Sequence, residues 1–266
     1  MTPVAYDVVV PTVGRASLGA LLHRLAAQPL PGLRRLVLVD DRPVGRGTPA
    51  LTAVPAPLSG RAVVIRSAGH GPAAARNRGW RRGAAPWVVF LDDDVVPDRA
   101  WGTDLWADLA DAPARVAAVQ GAVRVPGPRR RRPTDWERSV AGLERSAWIT
   151  ADLAYRRCVL EATGGFDEGF PRAYREDADL ALRAQAAGWE LARGRRAVTH
   201  PVGPAPWWIS VSRQRGNADD ARMAARHGRG WREAAQAPRG RLRNHLVASA
   251  AGMAAVAAAL MSHRRL

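Results

Sequence analysis

Four short runs of this chain leave no polar face for water: Asp7 to Pro11 (D-V-V-V-P), Leu36 to Val39, Ala62 to Ile65 and Trp87 to Leu91 (W-V-V-F-L). Strands without polar/apolar alternation have to be covered above and below. Helical patterns lie between them. Ser17 to Gln28 sets Leu18, Leu21, Leu22 and Leu25 at helical spacing behind a Ser N-cap, and Gly71-Pro72 opens an alanine-rich stretch with proline in its first turn. Strands alternating with helices predict an α/β fold, a mainly parallel sheet flanked by helices on both faces.

In such sheets ligands bind beyond the carboxyl ends of the strands. Three of the runs end in polar residues there: Pro11-Thr12, Asp40-Asp41 and Asp92-Asp93-Asp94. They are expected to converge on one crevice. Further along, Val116 to Val125 and Ala147 to Leu153 read as strands, with Arg129 to Arg132 in a Pro-flanked loop. Gly164-Gly165-Phe166-Asp167 reads as a tight turn with a buried Phe. A helix starts near Glu176 and is capped by Gly188, and Ala197 to His200 forms a last short strand. The expected organisation is a catalytic domain over residues 1–205 and a C-terminal helical extension over 206–266.

Composition narrows the partners. Forty basic residues against 24 acidic ones give a formal charge of +16, and every one of the forty is arginine. Such an excess ordinarily suits an anionic partner, but no helix-turn-helix pattern and no array of aromatics interleaved with Arg is visible, so nucleic acid is not expected. Cys158 is the single cysteine, which excludes an internal disulfide and a Cys-based metal site and fits a reducing cytoplasm. The first residues lack a signal-peptide pattern. Leu246 to Met261 is mostly alanine and falls short of the roughly 20 residues that span a bilayer. A helix packed on the catalytic domain is the expectation, with peripheral contact at the inner face of the membrane as the alternative.

Adjacent carboxylates repel one another and call for a compensating cation, proton or set of N–H donors. On an extended chain Asp92 and Asp94 share a face and can hold one hard divalent cation, a partner suited to a diphosphate ligand. Glu176-Asp177 is a second pair at a helix start, readable as N-caps or as a general base. His200 closes a strand. With two aspartates an imidazole makes a mixed O/N set that favours Mn²⁺ or another transition ion over Mg²⁺.

The ordered blocks P-T-V-G-R, L-V-L-V-D-D, G-P-A-A-A-R-N-R-G, V-V-F-L-D-D-D-V-V-P, G-G-F-D-E-G-F and R-E-D-A-D-L-A-L-R, followed by a late His, resemble the family 2 glycosyltransferases of the GT-A fold. The likeness runs from about Asp7 to His200. It implies an inverting transferase that moves a sugar from a nucleotide-diphosphate donor, a UDP-sugar first among them, to an acceptor hydroxyl by metal-assisted single displacement. On this implication Pro11, Thr12, Arg15, Asp40, Asp41, Arg76, Asp92 and Asp93 surround the donor nucleotide. Asp94, with Asp92 and His200, holds Mn²⁺ or Mg²⁺. Asp177 is the catalytic base, oriented by Glu176, while Trp148 and Asp152 face the acceptor, a lipid-linked one included. Arg213 or Arg215 is a candidate to close over the diphosphate, but a charged helix face is the expectation for this segment. A nucleotidyltransferase or phosphatase would use the same aspartates, but the Gly-rich phosphate loop of the first and the Thr or Gly partner of the second are missing. A non-catalytic basic module for nucleic acid or anionic lipid has only the charge to support it.

Overall fold

The computed structural model describes residues 4–43, 45, 54–238 and 242–263. Among these, eight strands form one sheet: β1 (Tyr6–Thr12), β2 (Leu33–Asp40), β3 (Ala62–Arg66), β4 (Trp87–Leu91), β5 (Val96–Pro97), β6 (Val116–Arg124), β7 (Asp152–Arg156) and β8 (Glu190–Thr199). Their order across the sheet is β3-β2-β1-β4-β7-β6-β8-β5. Pairings β3/β2, β2/β1, β1/β4 and β6/β8 are parallel. β7 runs antiparallel to both β4 and β6, so β6 and β8 point the same way as β1, β2 and β4. The carboxyl ends of these strands therefore share one edge.

The unbroken apolar runs are explained by their two covers. Val8 and Val10 pack with Leu36, Leu38, Val89 and Leu91 under helices Ser17–Ala26 and Trp101–Ala110. Their sequence neighbours Val9, Val37, Val39, Val88 and Phe90 face the opposite layer, made by helices Pro72–Trp80, Arg157–Thr163 and Glu176–Ala186. Leu18, Leu21, Leu22 and Leu25 are all buried, and each stabilises the fold by about 1.5–3 kcal/mol. A Cβ on Gly79 would stand 2.3 Å from the Val9 Cγ1, so only glycine lets that helix lie so close to the sheet.

Four local expectations change. Ser17 is the first helical residue and Ala16 takes the cap position with no side-chain bond, so the cap predicted for Ser17 is absent. The strand expected from Ala147 starts at Asp152, because Trp148 adopts a left-handed φ of 62° and the chain turns there. The strand expected over 197–200 begins at Glu190, since its arginines find acidic partners and need no alternation to sit in a sheet. Helix Leu242–His263 shows no packing of its described side chains, so the expected docking on the catalytic domain is not seen. No helix among the described residues is long and apolar enough to cross a membrane.

Residues 217–235 behave differently from that last helix. Met223, Trp231 and Ala235 share a buried cluster with Phe170, Ala178 and Leu182, which ties this segment to helix Glu176–Ala186.

Candidate active site

β2, β1 and β4 are neighbours, and Thr12 stands in register with Asp40, so the three polar strand ends meet as expected. Thr12 Oγ1 donates to Asp93 Oδ2 at 2.6 Å and accepts from the Gly14 N–H at 3.0 Å. Arg15 reaches across with one nitrogen 3.0 Å from Asp93 Oδ1 and 2.7 Å from Asp94 Oδ2. Pro11 is half-buried beside them. Asp40 is gripped by the Arg42 guanidinium through Nε and Nη2, both at 2.9 Å. Asp41 accepts from Ser67 Oγ at 2.6 Å and from the Gly71 N–H at 3.0 Å, which fixes the start of helix Pro72–Trp80 against the end of β2.

Arg76 projects from that helix into the interior, almost wholly buried. Its guanidinium donates to Glu176 Oε1 at 2.7 Å and to Asp92 Oδ1 at 2.9 Å, and it lies 5.7 Å from the centroid of the buried Phe166 ring. One cation thus joins an acid at the end of β4 to an acid 84 residues later, on a different helix. Nothing in the spacing of the sequence announces this bridge. The turn at Gly164 and Gly165 is as expected, with φ of 76° and 78°, and Phe166 is buried edge-on to Phe90.

The metal set is only partly assembled. The extended run stops at Leu91 and the chain turns at Asp93-Asp94, so the extended geometry expected of Asp92 and Asp94 is absent; Asp92 pairs with Arg76, although its charge still acts on Asp94. Asp94 Oδ1 lies 3.4 Å from His200 Nε2 and is buried with no hydrogen-bond partner. No group of three or more His, Cys, Asp or Glu side chains among the described residues is arranged to hold a metal. Asp94 and His200 still fit a divalent cation as a two-point cradle, since an orphaned carboxylate oxygen beside an imidazole suits such an ion when water or phosphate oxygens complete the shell.

Five carboxylates, Asp92, Asp93, Asp94, Glu176 and Asp177, face two guanidiniums, Arg15 and Arg76. Burial raises Asp93 and Asp94 above the usual carboxylate range, with Asp92 adding to the effect on Asp94 and His200 opposing it. Glu176 is pushed up to about 8 by burial and then by Asp177, against the pull of Arg76, and its Oε2 has no partner. Asp177 is raised by burial as well. It is half-buried; one oxygen accepts from the Ala178 N–H at 2.7 Å, and the other makes no hydrogen bond among the described residues. Neither acid caps the helix. Arg175 holds the cap position, in a left-handed conformation with φ of 77°.

Two expected acceptor residues are elsewhere. Asp152 is fully buried, with Oδ1 accepting from Arg196 Nε and Oδ2 from Trp101 Nε1, both at 2.8 Å. It stabilises the interior beneath β7 and has no face for an acceptor. Trp148 is buried against Ala147, Ala181 and Leu191, so its ring is packing and not a sugar platform. Arg213 lies on Trp136 and donates to Ser139.

The parallel half-sheet, the acid-lined carboxyl edge and the acid pair on a helix opposite it define a transferase domain of the GT-A type, and solved structures agree on the fold. The S. aureus TarS residue 1–349 structure superposes with a TM-score of 0.52 at 16% identity over 73% of this chain and 57% of that one. The mannosyltransferase PcManGT from Pyrobaculum calidifontis, solved with GDP-Man and Mn²⁺, gives 0.55 at 20% identity over 94% of this chain and 80% of that one. The Glycosyl transferase family 2 model matches residues 7–179. The chain therefore belongs to glycosyltransferase family 2. It is also similar to the pre-mycofactocin glycosyltransferase of Mycobacterium tuberculosis, 31% identical over 140 residues, 46% of this chain and 28% of that protein. The chain thus matches little more than a quarter of the length of that curated relative.

Proposed function

We propose that this chain transfers a sugar from a nucleotide-diphosphate donor to an acceptor hydroxyl, with inversion at the anomeric carbon. The observation that carries the reading is Asp177: a half-buried carboxylate raised by burial above the ordinary aspartate range, with one oxygen that makes no hydrogen bond among the described residues, next to the acid that shares Arg76 with Asp92 at the end of β4. A base must take its proton within hydrogen-bond reach and hold it briefly, and a carboxylate raised by burial holds it better than an ordinary one. Glu176, pinned by Arg76, fixes the helix turn from which Asp177 projects. Pro11, Thr12, Asp40 and Asp41 wall the nucleotide side, while Asp93 stands for the ribose and Arg15 lies beside the diphosphate. A divalent ion bound by Asp94 and His200 would supply neutralisation for the departing diphosphate. A single displacement needs no protein nucleophile. The neighbours' own ligands, UDP-GlcNAc on TarS and GDP-Man on PcManGT, support a nucleotide-sugar donor, with UDP-sugars first to test.

The test is thermal shift across UDP-, GDP- and dTDP-sugars with and without Mn²⁺. A native-state ligand at 100 times its Kd stabilises by about 2.7 kcal/mol. Asp177→Asn is expected to keep the shift produced by the donor and to lose transfer. No shift with any nucleotide in the presence of metal would remove the reading.

A further inference from the structure

β6 and β8 are parallel neighbours with Arg124 in register with Thr199, so the chain leaves both strands side by side on the edge that carries the acid cluster. From β6 it enters the loop 125–134. There Arg129, Arg130 and Arg132 are exposed and, unlike Arg131, form no ion pair among the described residues. From β8 it passes His200 and reaches Trp207 and Trp208, which are 89% and 52% exposed. Their rings meet edge to face at 5.6 Å, and Val211 close behind is 72% exposed. The two segments are tied together. Trp136, on the helix that follows the arginine loop, donates its Nε1 to the Gly203 carbonyl at 2.9 Å, and Arg213 covers the same ring at 5.1 Å. Arginines and tryptophans therefore belong to one surface beside the mouth of the cleft.

A lone exposed apolar residue is ordinary, but two tryptophans and a valine in succession form a patch that the core does not need. Indole has an apolar body and a polar N–H, which suits the boundary between lipid headgroups and acyl chains, and guanidinium suits phosphate. We propose that this face docks the protein on an anionic phospholipid surface. Trp207, Trp208 and Val211 enter the headgroup boundary while Arg129, Arg130 and Arg132 meet lipid phosphates. The net charge of +16 complements such a surface. Single-stranded nucleic acid fits less well: the two indoles stack on each other edge to face and do not present parallel platforms to bases, and Val211 offers nothing to stack on. Docked this way, the cleft opens beside the bilayer, where an acceptor carried by a lipid would be presented.

The experiment is flotation of the full chain with vesicles of phosphatidylcholine alone and with phosphatidylglycerol added. The wild type is expected to float with the anionic vesicles only and to be released by salt. Replacing Arg129, Arg130 and Arg132 together by Gln should weaken partition about a hundred-fold, at a factor of about five for each arginine. Trp207→Ser with Trp208→Ser should weaken it at least about ten-fold. Both variants should melt at the wild-type temperature, which separates loss of docking from loss of fold. Failure of the wild type to float, or equal flotation of the variants, overturns the proposal; the second result would move the lipid contact elsewhere, such as the uncharged stretch 246–261. Tryptophan-dependent binding of single-stranded DNA without any vesicle response would also overturn it. The nucleotide-sugar reading fails by a different measurement, the absence of a thermal shift, and leaves the flotation result intact.

Discussion

Glu176→Gln tests the charge argument at the centre of the cleft. The wild-type carboxyl lies 2.7 Å from Arg76 and is held near 8 in the fold, against an ordinary value of 4.5. A carboxyl raised in this way binds its proton more tightly when folded. Its share of stability is complete below about pH 4.5 and is lost as pH rises toward 8. At 1.36 kcal/mol per pH decade the whole interval is worth at most about 5 kcal/mol. Glutamine keeps the shape and an acceptor for Arg76 but removes the titration. Asp177 lies beside it and is raised too, so the difference between the two proteins reports the titration of the acid pair with and without the Glu176 charge. The variant should therefore match the wild type near pH 5 and melt higher near pH 8, by about 5–15 °C at 2–4 °C per kcal/mol for a domain of this size. With ten tryptophans, intrinsic fluorescence melts in buffers from pH 5 to 8.5 are sufficient. A difference that does not change with pH would refute the reasoning, because Glu176 would then be ionised throughout and Arg76 alone would compensate it.

Asp152→Ala should lower the melting point by about 6–20 °C, since it strands the buried Arg196 at a cost of about 3–5 kcal/mol, yet leave the donor-induced shift in place; Arg196→Met in the same chain should recover part of the loss. Asp94→Asn and His200→Ala should each abolish the Mn²⁺-dependent part of that shift, with loss of the metal-independent part counting against the two-point cradle. Arg175→Gly should melt about 2–8 °C above Arg175→Ala, because both lose the bonds to Asp220 and Tyr174 but only glycine adopts the left-handed φ of 77° without strain, a difference of about 1–2 kcal/mol per residue. Calorimetry of the two variants side by side decides the order.

Much of the cleft was legible because its signals are local. An apolar run that stops in acids marks both a buried strand and its functional end, and the neighbouring positions of Thr12, Asp40 and Asp93 follow from parallel pairing. What escaped was set by contacts distant in sequence. Asp152 looks like any polar residue near an acceptor segment until Arg196, 44 positions away, takes its carboxylate inside the sheet. Trp148 shows its aromatic character in the sequence but not its left-handed backbone, which both ends the expected strand and turns the ring inward. The Asp92/Asp94 pairing needs an extended chain, but the chain turns beyond Leu91 and Asp92 pairs with Arg76. The Arg76 bridge required knowing that two helices face one strand end.

The aim of Asp177 depends on residues beyond the span that carries the family likeness. Arg175, one step before the acid pair, is held in an unfavourable backbone region that persists only when its surroundings over-determine it. Those surroundings are specific: Nε donates to Asp220 Oδ1 at 2.7 Å, Nη2 to the Tyr174 hydroxyl at 2.7 Å, and the guanidinium lies 4.3 Å from the Tyr174 ring centroid and 4.9 Å from that of Trp231. One turn below, Asp179 is fully buried and accepts from His227 Nε2 at 2.8 Å and Arg183 Nε at 2.8 Å. Asp220, Trp231 and His227 all come from the segment 217–235, which shares its core with Ala178 and Leu182. The first turn of the acid-bearing helix is thus clamped from outside the sheet, by a part of the chain that a reading of the six motif blocks and the late His would treat as an appendage. Helix Glu176–Ala186 has the sheet on one side and this segment on another, so the direction in which Asp177 projects is decided by both.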